Sequence, residues 1–430
     1  MIASVLAATP LAVLSSPASG ENGFTALFWI LPVMLLAGKF SAEGFERIGQ
    51  PAVLGELIAG ALLGPSLLGV IPTDLADPMT EIVKIFAEIG VVVLLFEIGL
   101  ETDLKQLFRV GRAAFTVASV GVIVPFALGF LFWVSPFATT QFDLVSRSTT
   151  GIYVGAAMTA TSVGITARVL TDLKAMHSLE GQLIIGAAVI DDVLGLVILG
   201  VVAALVAGTS VGVLDVGRAF ALAVGFLAAA LVVGLAVTPR IFSMIDRMRV
   251  RGMLLVSAFA FTLLVAWLAN EAGSAMIIGA FASGLILSGT NQFDVIEERI
   301  KPVADIFTPI FFLSIGAQLD LRLLNPFDPT NHTVLLLGAV LLAIACVGKV
   351  VAGYAVAWRR FNRLGVGIGM VPRGEVGLIF ANLGLASGVL STELFSAILL
   401  MVIGSTFMAP PLLKWSFNRW GTTDVPTSHA

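Results

Sequence analysis

Hydrophobic residues run through this chain in long blocks, and polar residues are confined mostly to short breaks between them. Thirteen stretches are long enough, or nearly so, to span a bilayer, for which a helix needs about 20 apolar residues. They cover residues 23–40, 51–70, 82–101, 112–134, 150–171, 181–207, 213–236, 252–270, 273–290, 302–318, 333–358, 364–388 and 392–414. The narrowest break is Asn270-Glu271-Ala272-Gly273, between the eighth and ninth stretches. Hydrocarbon offers backbone groups no water, so each stretch is predicted to be helical. The pattern thus predicts an all-α integral membrane protein with about thirteen transmembrane helices over 23–414. Residues 1–22 form an N-terminal extension and 415–430 a short tail. Met1–Leu14 is apolar and Ser15–Gly20 small, but the segment lacks a positive n-region, so an interfacial extension is preferred over a signal peptide.

Composition agrees. Of 430 residues, 58% are hydrophobic and 12% charged, against about 25% charged in a soluble domain. Mean hydropathy is +1.01. The single Cys346 excludes an internal disulfide framework and a Cys-based zinc site. His177, His332 and His429 are far apart, which argues against a multi-histidine metal site. Basic residues are scattered singly, so nucleic acid is not an expected partner. Gly365-Val366-Gly367-Ile368-Gly369 resembles a nucleotide loop, but it lies inside an apolar span with no strand before it. Neither an enzymatic activity nor a cofactor is expected. Of the 24 Lys and Arg residues, 17 fall in alternate loops and the tail, from Lys39 and Arg47 to Lys414 and Arg419. The positive-inside rule then sets the N-terminus outside and the C-terminus in the cytoplasm.

The chemistry is expected where charge is costly. Asp191 and Asp192 lie about ten residues into the sixth stretch, and Lys349 lies about ten residues from the inner end of the eleventh. Arg373 and Glu375 sit at similar depth in the twelfth, and Thr161 halfway along the fifth. At about 1.5 Å per residue these groups share one plane, roughly 14–17 Å from the cytoplasmic edge. A charge there costs about 2.5–3.5 kcal/mol even on the lenient insertion scale. A buried Asp191–Lys349 pair can simply hold a bundle together. Two adjacent acids are harder to explain that way, because successive helical residues point about 100° apart. One carboxylate is left for water, a cation or a proton.

Met158–Thr166 concentrates Thr, Ser and Gly at mid-span, and Gly369–Gly377 contains Pro372 among glycines. Both read as interrupted helices, seven stretches apart and therefore antiparallel. Paired broken helices in inverted repeats mark a transporter's midplane site, where unwound carbonyls and the hydroxyls of Thr161 and Ser162 suit a small cation. A proline kink with glycine packing is the plainer alternative. Glu56 and Glu97 lie nearer span ends and can be snorkelled or capped. His177 is expected to be solvated, and Cys346 to pack in the core.

Leu54-Gly55-Glu56-Leu57 through Gly64-Pro65-Ser66-Leu67-Leu68-Gly69 resembles the monovalent cation:proton antiporter-2 family. So do Leu95–Glu101, Thr161–Thr166, Val189-Ile190-Asp191-Asp192-Val193, Phe311-Phe312 with Gly316, and Pro372-Arg373-Gly374-Glu375. These motifs occur in family order over about residues 25–415. The resemblance implies two crossed broken helices in a core domain around 112–207 and 333–414, with the remaining helices as dimerisation domain and linker, in a homodimer. It implies exchange of Na⁺, or Li⁺ or K⁺, for protons, with Asp192 as the shared cation and proton carboxylate. It pairs Asp191 with Lys349, makes Asp191 and Thr161 Na⁺ ligands beside Asp192, sets Thr161 and Ser162 at the unwound crossing, and puts Arg373 and Glu375 in the second broken helix. The Asp-Asp pair resembles the electrogenic members. Potassium-efflux relatives usually carry a cytoplasmic nucleotide-binding domain, for which this sequence has no match. A K⁺/H⁺ antiporter and a cation channel are the alternatives. A bacterial inner membrane, or an internal energy-transducing one, is the expected location.

Overall fold

The computed structural model describes residues 21–74, 77–102, 104–136, 145–206, 213–273, 275–319, 321–324 and 331–423. Residues 1–20 of the expected extension and 424–430 of the tail lie outside the described residues. The chain forms α1 (Glu21–Arg47), α2 (Ala52–Leu63), α3 (Pro78–Glu101), α4 (Leu104–Val134) and α5 (Arg147–Ala157). It continues through α6 (Val163–Asp172), α7 (Leu179–Val206), α8 (Val213–Asp246), α9 (Met253–Glu271) and α10 (Met276–Ser288). It ends with α11 (Phe293–Ala317), α12 (His332–Tyr354), α13 (Arg363–Gly369), α14 (Glu375–Ala386) and α15 (Thr392–Trp420).

Each apolar stretch coincides with one helix or, in the fifth and twelfth, with two half-helices. Among the described residues, seven helices are long and apolar enough to cross a membrane: α1, α4, α8, α9, α11, α12 and α15. The second stretch differs from expectation. Its helix stops at Leu63, because Pro65 disfavours a helical conformation at the residue before it, and Gly64 is extended at ψ 174°. The chain then folds back, with the Gly69 amide donating to the Gly64 carbonyl (2.8 Å) and that of Val70 to Leu63 (2.9 Å). Twelve residues rise about 18 Å, less than the roughly 30 Å of a bilayer core.

Polar caps start several helices. Asp77 accepts from the Met79 amide at the start of α3, with Pro78 in the first turn. Ser146 caps α5, Asn362 caps α13 and Ser391 caps α15.

Packing sorts the helices into two groups. In one, α4 packs on α5, α7 and α12, while α12 also meets α13 and α15. In the other, α3 packs on α10 and α11, α2 on α1 and α11, and α9 and α8 on α10. Glycines let the second group approach closely. A side chain at Gly316 of α11 would run into the Leu57 carbonyl of α2, and one at Gly284 of α10 into the Phe96 carbonyl of α3. The largest buried apolar cluster joins the two groups, with Val91, Leu95 and Phe311 against Val163, Ile165 and Leu183.

Candidate functional site at the crossing of two broken helices

Two gaps in helical structure, at residues 158–162 and 370–374, lie against each other. Their causes differ. Pro372 lacks an amide hydrogen and cannot continue the ladder of α13. In the first gap, side chains divert backbone groups from the helix. The Thr159 hydroxyl donates to the Ala156 carbonyl (2.8 Å). The Thr161 amide donates to Asp191 Oδ2 (2.6 Å). The Ser162 amide donates across the crossing to the Pro372 carbonyl (2.7 Å). Hydroxyls complete the seam: Thr161 Oγ1 donates to the Met370 carbonyl (3.0 Å) and Thr166 Oγ1 to that of Gly369 (2.8 Å).

A helix end leaves carbonyls without partners, and here α5 and α13 end side by side. Arg373 serves both. Its guanidinium is fully buried and donates to the carbonyls of Met158 (2.9 Å), Val371 (3.0 Å) and Ala345 on α12 (3.1 Å). The Thr406 hydroxyl of α15 donates to Arg373's own carbonyl. The cation thus sits where two helix dipoles end negative.

The two acids have different surroundings. Asp191, fully buried, accepts from Lys349 Nζ at Oδ1 (3.0 Å) and from the Thr161 amide at Oδ2. Lys349 is also fully buried. Asp192, 5% exposed, instead lines a cavity with Thr161, Ser162, Gly374, Leu95 and Phe311. That cavity is about 10 Å³, close to the least that admits one water molecule. A Cβ at Gly374 would lie 2.7 Å from Ser162 Oγ, so glycine keeps the second broken helix close to the hydroxyl. Among the described residues no cluster of three or more His, Cys, Asp or Glu side chains could hold a metal.

Asp191, Asp192, Thr161, Ser162, Lys349 and Arg373 are therefore brought together from four separate parts of the sequence. Glu375 opens α14, but its side chain lies outside the described residues. Glu56 and Glu97 are not at the crossing. Glu56 neither snorkels nor caps: it is fully buried, with no hydrogen-bond partner for either oxygen among the described residues. His177 is exposed and Cys346 half-buried. Sequence reasoning missed Thr406, an ordinary threonine in an apolar helix, and Glu180, which reads as a loop-end charge yet is fully buried.

Helices of membrane length, two of them broken and crossed around buried charges, define a multi-pass membrane transporter. Residues 33–419 match the family described as "Sodium/hydrogen exchanger, transmembrane", and the chain belongs to that family. It is 39% identical over 425 residues to the high-affinity Na⁺/H⁺ antiporter NhaS3 of Synechocystis, covering 92% of this chain and 91% of that one. It is 32% identical to the Na⁺/H⁺-K⁺ antiporter GerN of Bacillus cereus, covering 91% and 96%. The fold matches the sodium proton antiporter MjNhaP1 of Methanocaldococcus jannaschii with a TM-score of 0.65 at 16% identity, over 91% of this chain and 99% of that one.

Proposed function

We propose that the protein exchanges Na⁺ for H⁺ by alternating access, with Asp192 as the group that both ions share. The observation that carries this is the division between neighbouring acids: Asp191 is committed to Lys349 and Thr161, while Asp192 faces the cavity at the crossing. With both acids ionised, two carboxylates balance Lys349 and Arg373. One Na⁺ or one proton then changes the site's charge by the same unit, so either can occupy it but both together are disfavoured. Thr161, Ser162 and the unwound carbonyls would supply the remaining oxygen ligands. Lys349 and Arg373 hold the frame. No cofactor enters this scheme; the ions are the substrates.

Several finer features belong to the same proposal. The group around α4–α7 and α12–α15 acts as the moving core, and the other helices as the scaffold of a homodimer. The N-terminus lies outside and the C-terminus inside, in a bacterial inner or internal energy-transducing membrane. Exchange is electrogenic, with a second proton-dependent step at the Asp191–Lys349 pair. K⁺ is the second candidate cation, since one close relative is named for both ions.

The test is proton movement in proteoliposomes, read by an internal pH dye on adding Na⁺, Li⁺ and K⁺ in turn. Wild-type protein should respond and rank the cations, while Asp192→Asn should give a folded protein with no response. Saturable exchange retained in that variant would sink the assignment. Cation flux without proton movement would indicate a channel.

A further inference from the structure

Glu180 lies in the first turn of α7, eleven residues before Asp191, and is fully buried. It touches neither the cavity nor the crossing, yet its carboxylate is saturated with donors. Oε1 accepts from the Asn362 amide (2.8 Å) and the Thr423 hydroxyl (2.8 Å); Oε2 accepts from the Thr423 amide (2.7 Å). Thr423 in turn gives its carbonyl to the Leu179 amide (2.9 Å). Asn362, the cap of α13, also donates from its side chain to the carbonyls of Ser416 (3.3 Å) and Gly421 (3.2 Å). The start of α7 is itself tightly seated: Ser178 Oγ accepts from the Gly181 amide (3.0 Å), and Gln182 donates to the Met176 carbonyl (3.0 Å).

We propose that Glu180 is a positioning residue for the ion site, clamping α7, α13 and a strap formed by Gly421–Thr423 into one unit. The proposal rests on the exchange reading given above. Its logic is leverage between element ends. α7 starts at the clamp and carries Asp191 and Asp192. α13 starts at the clamp and ends at Gly369, just before the Met370 carbonyl that receives Thr161. A shift of α13 against α7 at the clamp changes the spacing between the unwound carbonyls and the Asp192 carboxylate at the far ends. The strap is the third member, because Thr423 supplies two of the three donors to Glu180. Charge-assisted hydrogen bonds of this kind contribute about twice a neutral one, so the clamp outweighs ordinary loop packing.

The experiment compares Glu180→Ala, Thr423→Pro and the pair together with wild type, in proteoliposomes and by amide hydrogen exchange in detergent. Thr423→Pro removes both donors that Thr423 supplies, at an exposed position outside the helices, so it covers the case where Glu180→Ala fails to fold. Each single variant should raise the half-saturating Na⁺ concentration by about tenfold while changing maximal turnover much less. The pair should be no worse than Glu180→Ala alone, because both act through one clamp. Amide exchange should quicken over residues 179–182 and 362–367. Additive effects, a fall in turnover at unchanged half-saturation, or unchanged exchange in those two segments would each overturn the proposal. The amide measurement reads the clamp without transport. A wild-type protein with no Asp192-dependent exchange overturns the antiport reading instead, and unaltered amide protection in the variants overturns the clamp.

Discussion

Arg373 is the residue on which the crossing depends, and it works through main-chain atoms. Three carbonyls from three segments converge on its guanidinium. Lysine has a single ammonium and cannot span them. Arg373→Lys should therefore lose at least about 2 kcal/mol, since buried carbonyls are left unpartnered, and a fluorescence melt in detergent should show it. Lys349→Ala leaves Asp191 buried with one donor. Breaking a buried pair from one side costs about 3–5 kcal/mol. Replacing both members, as Asp191→Asn with Lys349→Met, should cost less than the sum of the single changes, which a double-mutant cycle of unfolding midpoints measures. At this scale the sequence revealed the expensive groups, because any charge in mid-span demands a partner. It set Asp191 and Lys349 at one depth, while their pairing was implied by the family resemblance. It did not reveal what Arg373 binds, since carbonyls carry no residue-type signal. Glu180 was hidden for the opposite reason: at a helix end, a glutamate looks solvated until its partners are known.

Helices here are placed as much by what they lack as by what they carry. Gly316 and Gly284 let backbones of neighbouring helices touch, whereas a side chain at Gly111 of α4 would enter open space. Gly316→Ala should destabilise by about 1–3 kcal/mol through overpacking. Gly111→Ala should be neutral or stabilise by up to about 1 kcal/mol, since alanine is the better helix former. Unfolding by denaturant in mild detergent compares the two directly. Both glycines look alike in the sequence; only the partner helix distinguishes them. The broken helices were more legible. Pro372 among glycines announces one gap, and the Thr/Ser run announces the other. The short α2 was not expected from hydropathy alone, because Leu67-Leu68-Gly69-Val70 continues the apolar run after Pro65 has ended the helix.

Over the whole molecule, the alternation of apolar blocks conveyed the helix order almost completely, because helical membrane spans leave little other choice. A division into core and dimerisation domains is implied only by the family resemblance, since contacts between distant helices follow no local pattern. If exchange is electrogenic, a membrane potential alone should drive Na⁺ into proteoliposomes. The measurement is isotopic Na⁺ uptake with an imposed potassium diffusion potential at equal pH; uptake indifferent to the potential indicates one-for-one exchange.

The crossing has one more consequence. Apart from the Asp191 carboxylate, its acceptors include the main-chain oxygens of Met158, Ala345, Gly369, Met370, Val371, Pro372 and Arg373. Every amino acid carries that oxygen, so the side chains of Met158, Ala345, Met370 and Val371 are released from the bonding itself. All four are nonetheless buried, so apolar exchanges of similar volume are the ones that leave the arrangement undisturbed. The overall fold can outlast resemblance in spelling, as the match to the antiporter of Methanocaldococcus jannaschii at 16% identity illustrates. A saturating mutational scan should find those four positions tolerant of apolar residues of similar volume, beside an intolerant 373.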